Sequence, residues 1–94
     1  MVIQAFADKD TEKLFGGTRV KKYGPQLSDK ALQKLMMLNA ANELSDLRMP
    51  PGNRLEALVG GRKGQHSIRI NDQWRICFIW SNAGPQDVEI VDYH

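Results

Sequence analysis

Ninety-four residues, 41% hydrophobic and 26% charged with a net charge of +2, suffice for one small domain of limited core and carry too much apolar content for a disordered chain. The longest apolar run, Ile76–Trp80, is far short of the about 20 residues that span a bilayer. Met1-Val2-Ile3-Gln4 has neither a basic leader nor a long apolar stretch, and Cys77 is the only cysteine, so the chain reads as soluble and cytoplasmic, without a membrane partner or an internal disulfide.

The charge is unevenly distributed. Residues 50–80 carry Arg54, Arg62, Lys63, Arg69 and Arg75 against Glu56 and Asp72, whereas residues 81–94 carry Asp87, Glu89 and Asp92 and no basic side chain. The middle third can face an anion, nucleic acid being the commonest large one, or it can be an ordinary mixed surface.

In chain order, residues 2–7 read as a short first strand. Asp8 or Asp10 can cap a short helix running through Leu14-Phe15 and ended by Gly16-Gly17. Residues 18–27 are basic and irregular, with a turn signal at Gly24-Pro25. Ser28 offers an N-cap, and from there to Leu47 an Ala-, Leu-, Lys- and Met-rich stretch without Gly or Pro predicts the main helix. Leu32, Leu35, Met36, Ala40, Leu44 and Leu47 form its apolar face, widened by Met37, Leu38 and Ala41. Pro50-Pro51-Gly52-Asn53 ends it. Strand formers follow: Arg54–Val59 closed by Gly60-Gly61, then His66–Ile70, Trp74–Trp80, a turn at Asn82–Pro85, and Val88–Val91. The order β-α-α-β-β-β-β describes a single α+β domain over residues 1–94. Its sheet is mostly antiparallel, covered by helices on one face and open on the other.

Alternation puts Ile68 and Ile70 on one face of their strand with Ser67 and Arg69 on the other; in the next strand Trp74, Ile76, Phe78 and Trp80 share a face and Arg75 and Cys77 point away. A loop of three residues, Asn71-Asp72-Gln73, makes the faces agree and sets Arg69 opposite Arg75, whereas a loop of two would mix them. Two guanidiniums side by side repel each other and call for compensation. A phosphate supplies it, since the planar fork of arginine donates two parallel hydrogen bonds; carboxylates such as Asp87 or Glu89 would supply it equally.

The ending Asp92-Tyr93-His94 brings together an imidazole that titrates near neutrality, a phenol that can stack on a base, and a carboxylate that can orient either; the other reading is a frayed terminus. His66 shares the core-side face with Ile68 and reads as structural. One cysteine and two histidines lack metal-ligand spacing, so no metal or cofactor is expected. Gly60-Gly61-Arg62-Lys63-Gly64 lacks the strand–loop–helix context of a phosphate loop and reads as a flexible basic hairpin loop able to touch a backbone phosphate.

Pro50-Pro51-Gly52-Asn53-Arg54-Leu55-Glu56-Ala57-Leu58, the run Gly64–Phe78 and the ending Val88–His94 closely resemble the HigB branch of the RelE superfamily, including its GraT-type toxins. The resemblance covers nearly the whole chain and is weakest over residues 8–30. It implies a RelE-like, microbial-ribonuclease-like fold and the toxin half of a type II toxin–antitoxin pair, an endoribonuclease that cuts messenger RNA in the ribosomal decoding site beside the 16S ribosomal RNA. It also implies neutralisation by a HigA-like helix-turn-helix antitoxin, through which alone operator DNA would be contacted. Metal-free cleavage needs a base for the 2′-hydroxyl, cations for the phosphorane-like transition state and an acid for the leaving 5′ oxygen. The resemblance assigns proton transfer to His94, nucleotide orientation or stacking to Tyr93, positioning to Asp92 and the main phosphate stabilisation to Arg75, with Arg69, Arg62, Lys63 and Arg54 on backbone phosphates. Some HigB toxins carry a histidine and a lysine where this chain has Glu56 and Val59, a departure that leaves the general base open. A non-catalytic module that binds RNA or the ribosome is the alternative.

Overall fold

The computed structural model describes residues 2–93; His94 lies outside them. The first regular element is helix α1, Lys9–Phe15, capped as expected: the Asp8 side chain accepts from the Thr11 N–H at 3.3 Å, and Gly16 closes the C-terminal end. Residues 2–7 depart from expectation. They form no strand, only a parallel bridge between Phe6 and Val88, with Gln4 N–H donating to the Pro85 carbonyl at 2.7 Å and Ala7 N–H to the Val88 carbonyl at 2.9 Å. The neighbouring strand is bulged there, so a longer parallel ladder finds no regular partner.

Helix α2 spans Gly24–Ala40, starting four residues before the expected Ser28 and stopping well before Leu47. Pro25 sits in its first turn, where a fixed φ suits the helix and a missing N–H costs nothing, so the expected turn signal is in fact the helix start. At the other end the helix yields to a side chain. Asp46 Oδ2 accepts the backbone N–H of Asn42 at 3.0 Å and of Glu43 at 3.1 Å, completing a capping box that opens a separate 3₁₀ turn, Leu44–Arg48. Ala31, Leu35 and Leu38 form the buried stripe of α2, and Leu47 reaches the same core from the 3₁₀ turn; Met36, expected on the apolar face, is 60% exposed. The Pro50–Asn53 stop is a further 3₁₀ turn, Pro51–Asn53.

The sheet is antiparallel with order β1-β2-β3-β4: Glu56–Ala57, His66–Arg69, Trp74–Ser81 and Gly84–Asp92. β1 is shorter than the expected 54–59, because Arg54 takes a left-handed φ of 47° just before it and Gly60 one of 65° after it. β4 is longer than expected and begins at Gly84, inside the expected turn. A bulge interrupts its pairing between Cys77 and Ile79, where Asp87 takes a φ of 50°.

The core lies between the helices and one sheet face, where Ile68, Ile70, Ile76, Phe78 and Val88 are fully buried against Leu35 and Leu38. Each such side chain stabilises the fold by about 1.5–3 kcal/mol on burial. The buried Thr11 Oγ1 accepts the Ile90 N–H at 3.0 Å and ties α1 to β4.

Candidate active site

The open face of β2–β4 carries the arginine pair that the sequence singles out, Arg69 and Arg75. The register is the expected one, Arg69 opposite Arg75 and Ile68 opposite Ile76, across the loop Asn71-Asp72-Gln73. Asn71 shapes that loop: its Oδ1 accepts the N–H groups of Gln73 and Trp74, both at 2.9 Å.

The arginines are neutralised differently. Arg62, in the turn Gly60–Arg62, pairs with Glu89 at 2.8 Å and donates to Gln65 Oε1 at 3.0 Å, and the Glu89 carboxylate pushes its already high pKa further up. Arg69 pairs with Asp72. Arg75 has no carboxylate partner among the described residues. Its Nη1 donates to the carbonyls of Asn71 (2.5 Å) and Trp74 (3.2 Å), and its guanidinium lies 5.3 Å from the centre of the Tyr93 ring. Carbonyls fix its direction, and no carboxylate among the described residues forms an ion pair with it. Asp87, expected as a possible partner, forms no ion pair among the described residues; it sits exposed in the bulge.

The C-terminal segment is built into the sheet as far as it is described, rather than frayed. Tyr93 N–H donates to the Gln73 carbonyl at 2.6 Å, and Gln73 Nε2 donates to Asp92 Oδ2 at 3.0 Å, so the β2–β3 loop that holds Arg75 also holds Asp92 and Tyr93. Beside Tyr93 a cleft of about 360 Å³ is lined by Glu56, Val59 and Arg62, which puts Glu56 and Val59 in one concavity. Lys63 is exposed in the same loop as Arg62, and Arg54 is exposed ahead of β1. Beneath the arginines, Ser67 and Cys77 are fully buried, and burial pushes the Cys77 thiol up, only partly opposed by Arg62. His66 is half-buried with its ring 6.3 Å from that of Phe78, a structural placement as expected. Among the described residues no three His, Cys, Asp or Glu side chains gather as metal ligands, and no helix is long and apolar enough to cross a membrane.

Sequence reasoning missed Lys34. It is half-buried on α2 and donates to the Oδ1 of the fully buried Asn53; burial lowers its pKa, and Lys30 and Arg69 lower it further. The spacing of Lys30 and Lys34 on a helix was the available signal. It also missed Asn71 and Gln73 as the residues that hold Arg75, Asp92 and Tyr93 in place.

The sequence profile of the HigB-like toxins, described as RelE-like toxins of type II toxin–antitoxin systems, matches residues 4–94. The chain is similar to Toxin HigB-1 of Vibrio cholerae serotype O1, 45% identical over 76 residues that cover 80% of each chain. It is also similar to Endoribonuclease HigB of Proteus vulgaris, 28% identical over 93 residues covering 99% of this chain and 100% of that one. A Haemophilus influenzae protein without an assigned function shares 40% identity over 50 residues, about half of either chain.

Proposed function

The chain belongs to the HigB-like family of RelE-like toxins from type II toxin–antitoxin systems, and from that premise we propose that it is a metal-independent endoribonuclease cutting messenger RNA in the ribosomal decoding site. A toxin of this class has an antitoxin as its partner; we propose one of the HigA-like helix-turn-helix kind, which alone would contact operator DNA.

The observation that carries the enzymatic reading is Arg75. A cation held by two carbonyls over an aromatic ring, in no ion pair among the described residues, is poised for charge that develops on a phosphorane. Ground-state RNA binding would be served by any basic surface, but a guanidinium fixed in direction by carbonyls favours the transition state over the substrate. In this reading the 2′-hydroxyl attacks the adjacent phosphate and the 5′ oxygen leaves. Tyr93 orients the nucleotide. Asp92, held by Gln73, positions its neighbours, and His94 transfers the proton. Arg69, Arg62, Lys63 and Arg54 hold backbone phosphates. Glu56, which lines a cleft with Arg62 and Tyr93, is a carboxylate candidate for the base.

A second reading, an RNA- or ribosome-binding inhibitor that does not cut, draws support from Arg62 and Arg69 being already neutralised and from Val59 standing where some relatives have a cation. Primer extension on a messenger RNA translated in vitro separates the two. Discrete ribosome-dependent cuts with wild type, lost in His94→Ala and Arg75→Ala, are expected; arrested translation without cuts would replace the first reading with the second.

A further inference from the structure

The β2–β3 loop faces a second group of cations. Lys30 lines, with Tyr23, Leu27 and Asn71, a cleft of about 590 Å³ between the start of α2 and this loop. One helical turn on, Lys34 donates to Asn53, and the next residue, Arg54, stands exposed in left-handed backbone. Among the described residues, Lys30, Lys34 and Arg54 form no ion pair, whereas Asp29 lines a different groove, against α1. Arg69, which acts on Lys34, holds the acidic group nearest to hand in sequence, Asp72. Its carboxylate bonds to Arg69, and Arg54 and Arg75 also act on it, so that together they hold it below the ordinary carboxylate range. The Asp72 side chain is 99% exposed, so water competes fully for the pair, and exchanging one anion for another there is cheap.

We propose that the Asp72 carboxylate is a stand-in for an RNA phosphate. In free protein it occupies a backbone-phosphate subsite formed by Arg54 and Arg69 and extended over α2 by Lys34 and Lys30, and bound RNA displaces it. The inference rests on the ribonuclease reading and adds the path of the strand: from Arg75, past the β2–β3 loop, toward α2. Arginine in place of a point charge suits such a subsite, because the guanidinium that now bonds a carboxylate presents the same fork to a phosphate. An RNA strand is the occupant favoured over an acidic protein segment, because Arg69, which holds Asp72, stands opposite Arg75, whose guanidinium lies over the Tyr93 ring.

The test is fluorescence anisotropy of a labelled, fully 2′-O-methylated single-stranded RNA 20-mer, which cannot be cut, titrated at several salt concentrations. Asp72→Asn is expected to bind about 3–10-fold tighter at low salt, with a salt dependence steeper by about 0.7 per phosphate gained. Lys30→Gln with Arg54→Gln, which leaves the loop and the Lys34–Asn53 bond intact, is expected to weaken binding similarly and to flatten the slope by about 1.4. Unchanged or weaker binding by a folded Asp72→Asn would make Asp72 a loop staple and overturn the proposal. So would a double variant that loses affinity for the purified antitoxin but not for RNA, or wild type that binds no RNA. Cleavage by the same proteins keeps the two readings apart. If Arg75→Ala abolishes cutting while Asp72→Asn and the double variant bind like wild type, the active site stands and the subsite falls.

Discussion

The two faces of the β2–β4 sheet are made from alternate residues of the same strands and are stabilised by opposite means. On one, Ile68, Ile70, Ile76 and Phe78 are fully buried beneath α2, and each adds to stability by leaving water. On the other, Arg69 and Arg75 stand side by side, a placement that costs stability, and three different anchors hold the basic face together: a carboxylate across the sheet for Arg62, one in the loop for Arg69, and backbone carbonyls for Arg75. The first face is redundant, since neighbouring apolar groups share the load. The second is not, since each arginine depends on one or two named partners. Mutations should therefore separate the faces: changes on the core face move stability, and changes on the open face move activity.

The largest effect should come from Phe78→Ala, which removes a fully buried ring. A loss of about 3–5 kcal/mol is expected from denaturant unfolding, and a small loss would mean that the core face is less tightly packed than described. Arg75→Ala should lower cleavage about 100–1000-fold while stability changes by about 1 kcal/mol or less; a matching loss of stability would erase the contrast between faces. Thr11→Val leaves the Ile90 N–H without its acceptor and should cost about 1–3 kcal/mol in unfolding without altering cleavage in the folded fraction. Val59→Lys, which restores a cation to the cleft beside Arg62 and Tyr93, should raise cleavage by up to about tenfold; no gain in primer extension would argue that the missing lysine is not what limits the rate. The smallest effect concerns pH. Arg69 holds the Asp72 carboxyl below its ordinary 3.8, so its contribution to stability is present above that pH and is lost as pH falls through the depressed value. The difference in melting temperature between wild type and Asp72→Asn should be visible at neutral pH and vanish in acid; a difference that persisted in acid would mean that the ion pair is not its source.

The parts legible in the sequence are those fixed by local pattern. The loop of three residues and strict alternation were enough to place Arg69 opposite Arg75, and the Asp8 and Gly16 signals bounded α1. What escaped was settled by side chains distant from the element concerned. Asp46 ends α2 by capping backbone groups that propensity would have left helical, and Pro25 begins it because a turn signal and a helix start share the same dipeptide. The bulge at Asp87 leaves residues 2–7 a single bridge instead of a ladder. In the site, sequence offered Glu89 as a partner for the Arg69–Arg75 pair, whereas it pairs with Arg62, and Lys34 entered only because α2 meets the segment after it through Asn53.

The hydrogen bond from Ile90 to Thr11 joins groups 79 residues apart. During synthesis α1 and α2 emerge before any of the sheet they cover, and α1 waits for its anchor until β4 has been made. Pairings of such separation form late, because closing the loop costs entropy before the contact repays it. The same strand carries Glu89, Asp92 and the approach to Tyr93, so the basic face cannot be complete on a nascent chain that has reached only β3. Topology thus acts as a timer: the order in which the chain is made delays the assembly of the site until after the helices and the inner strands exist.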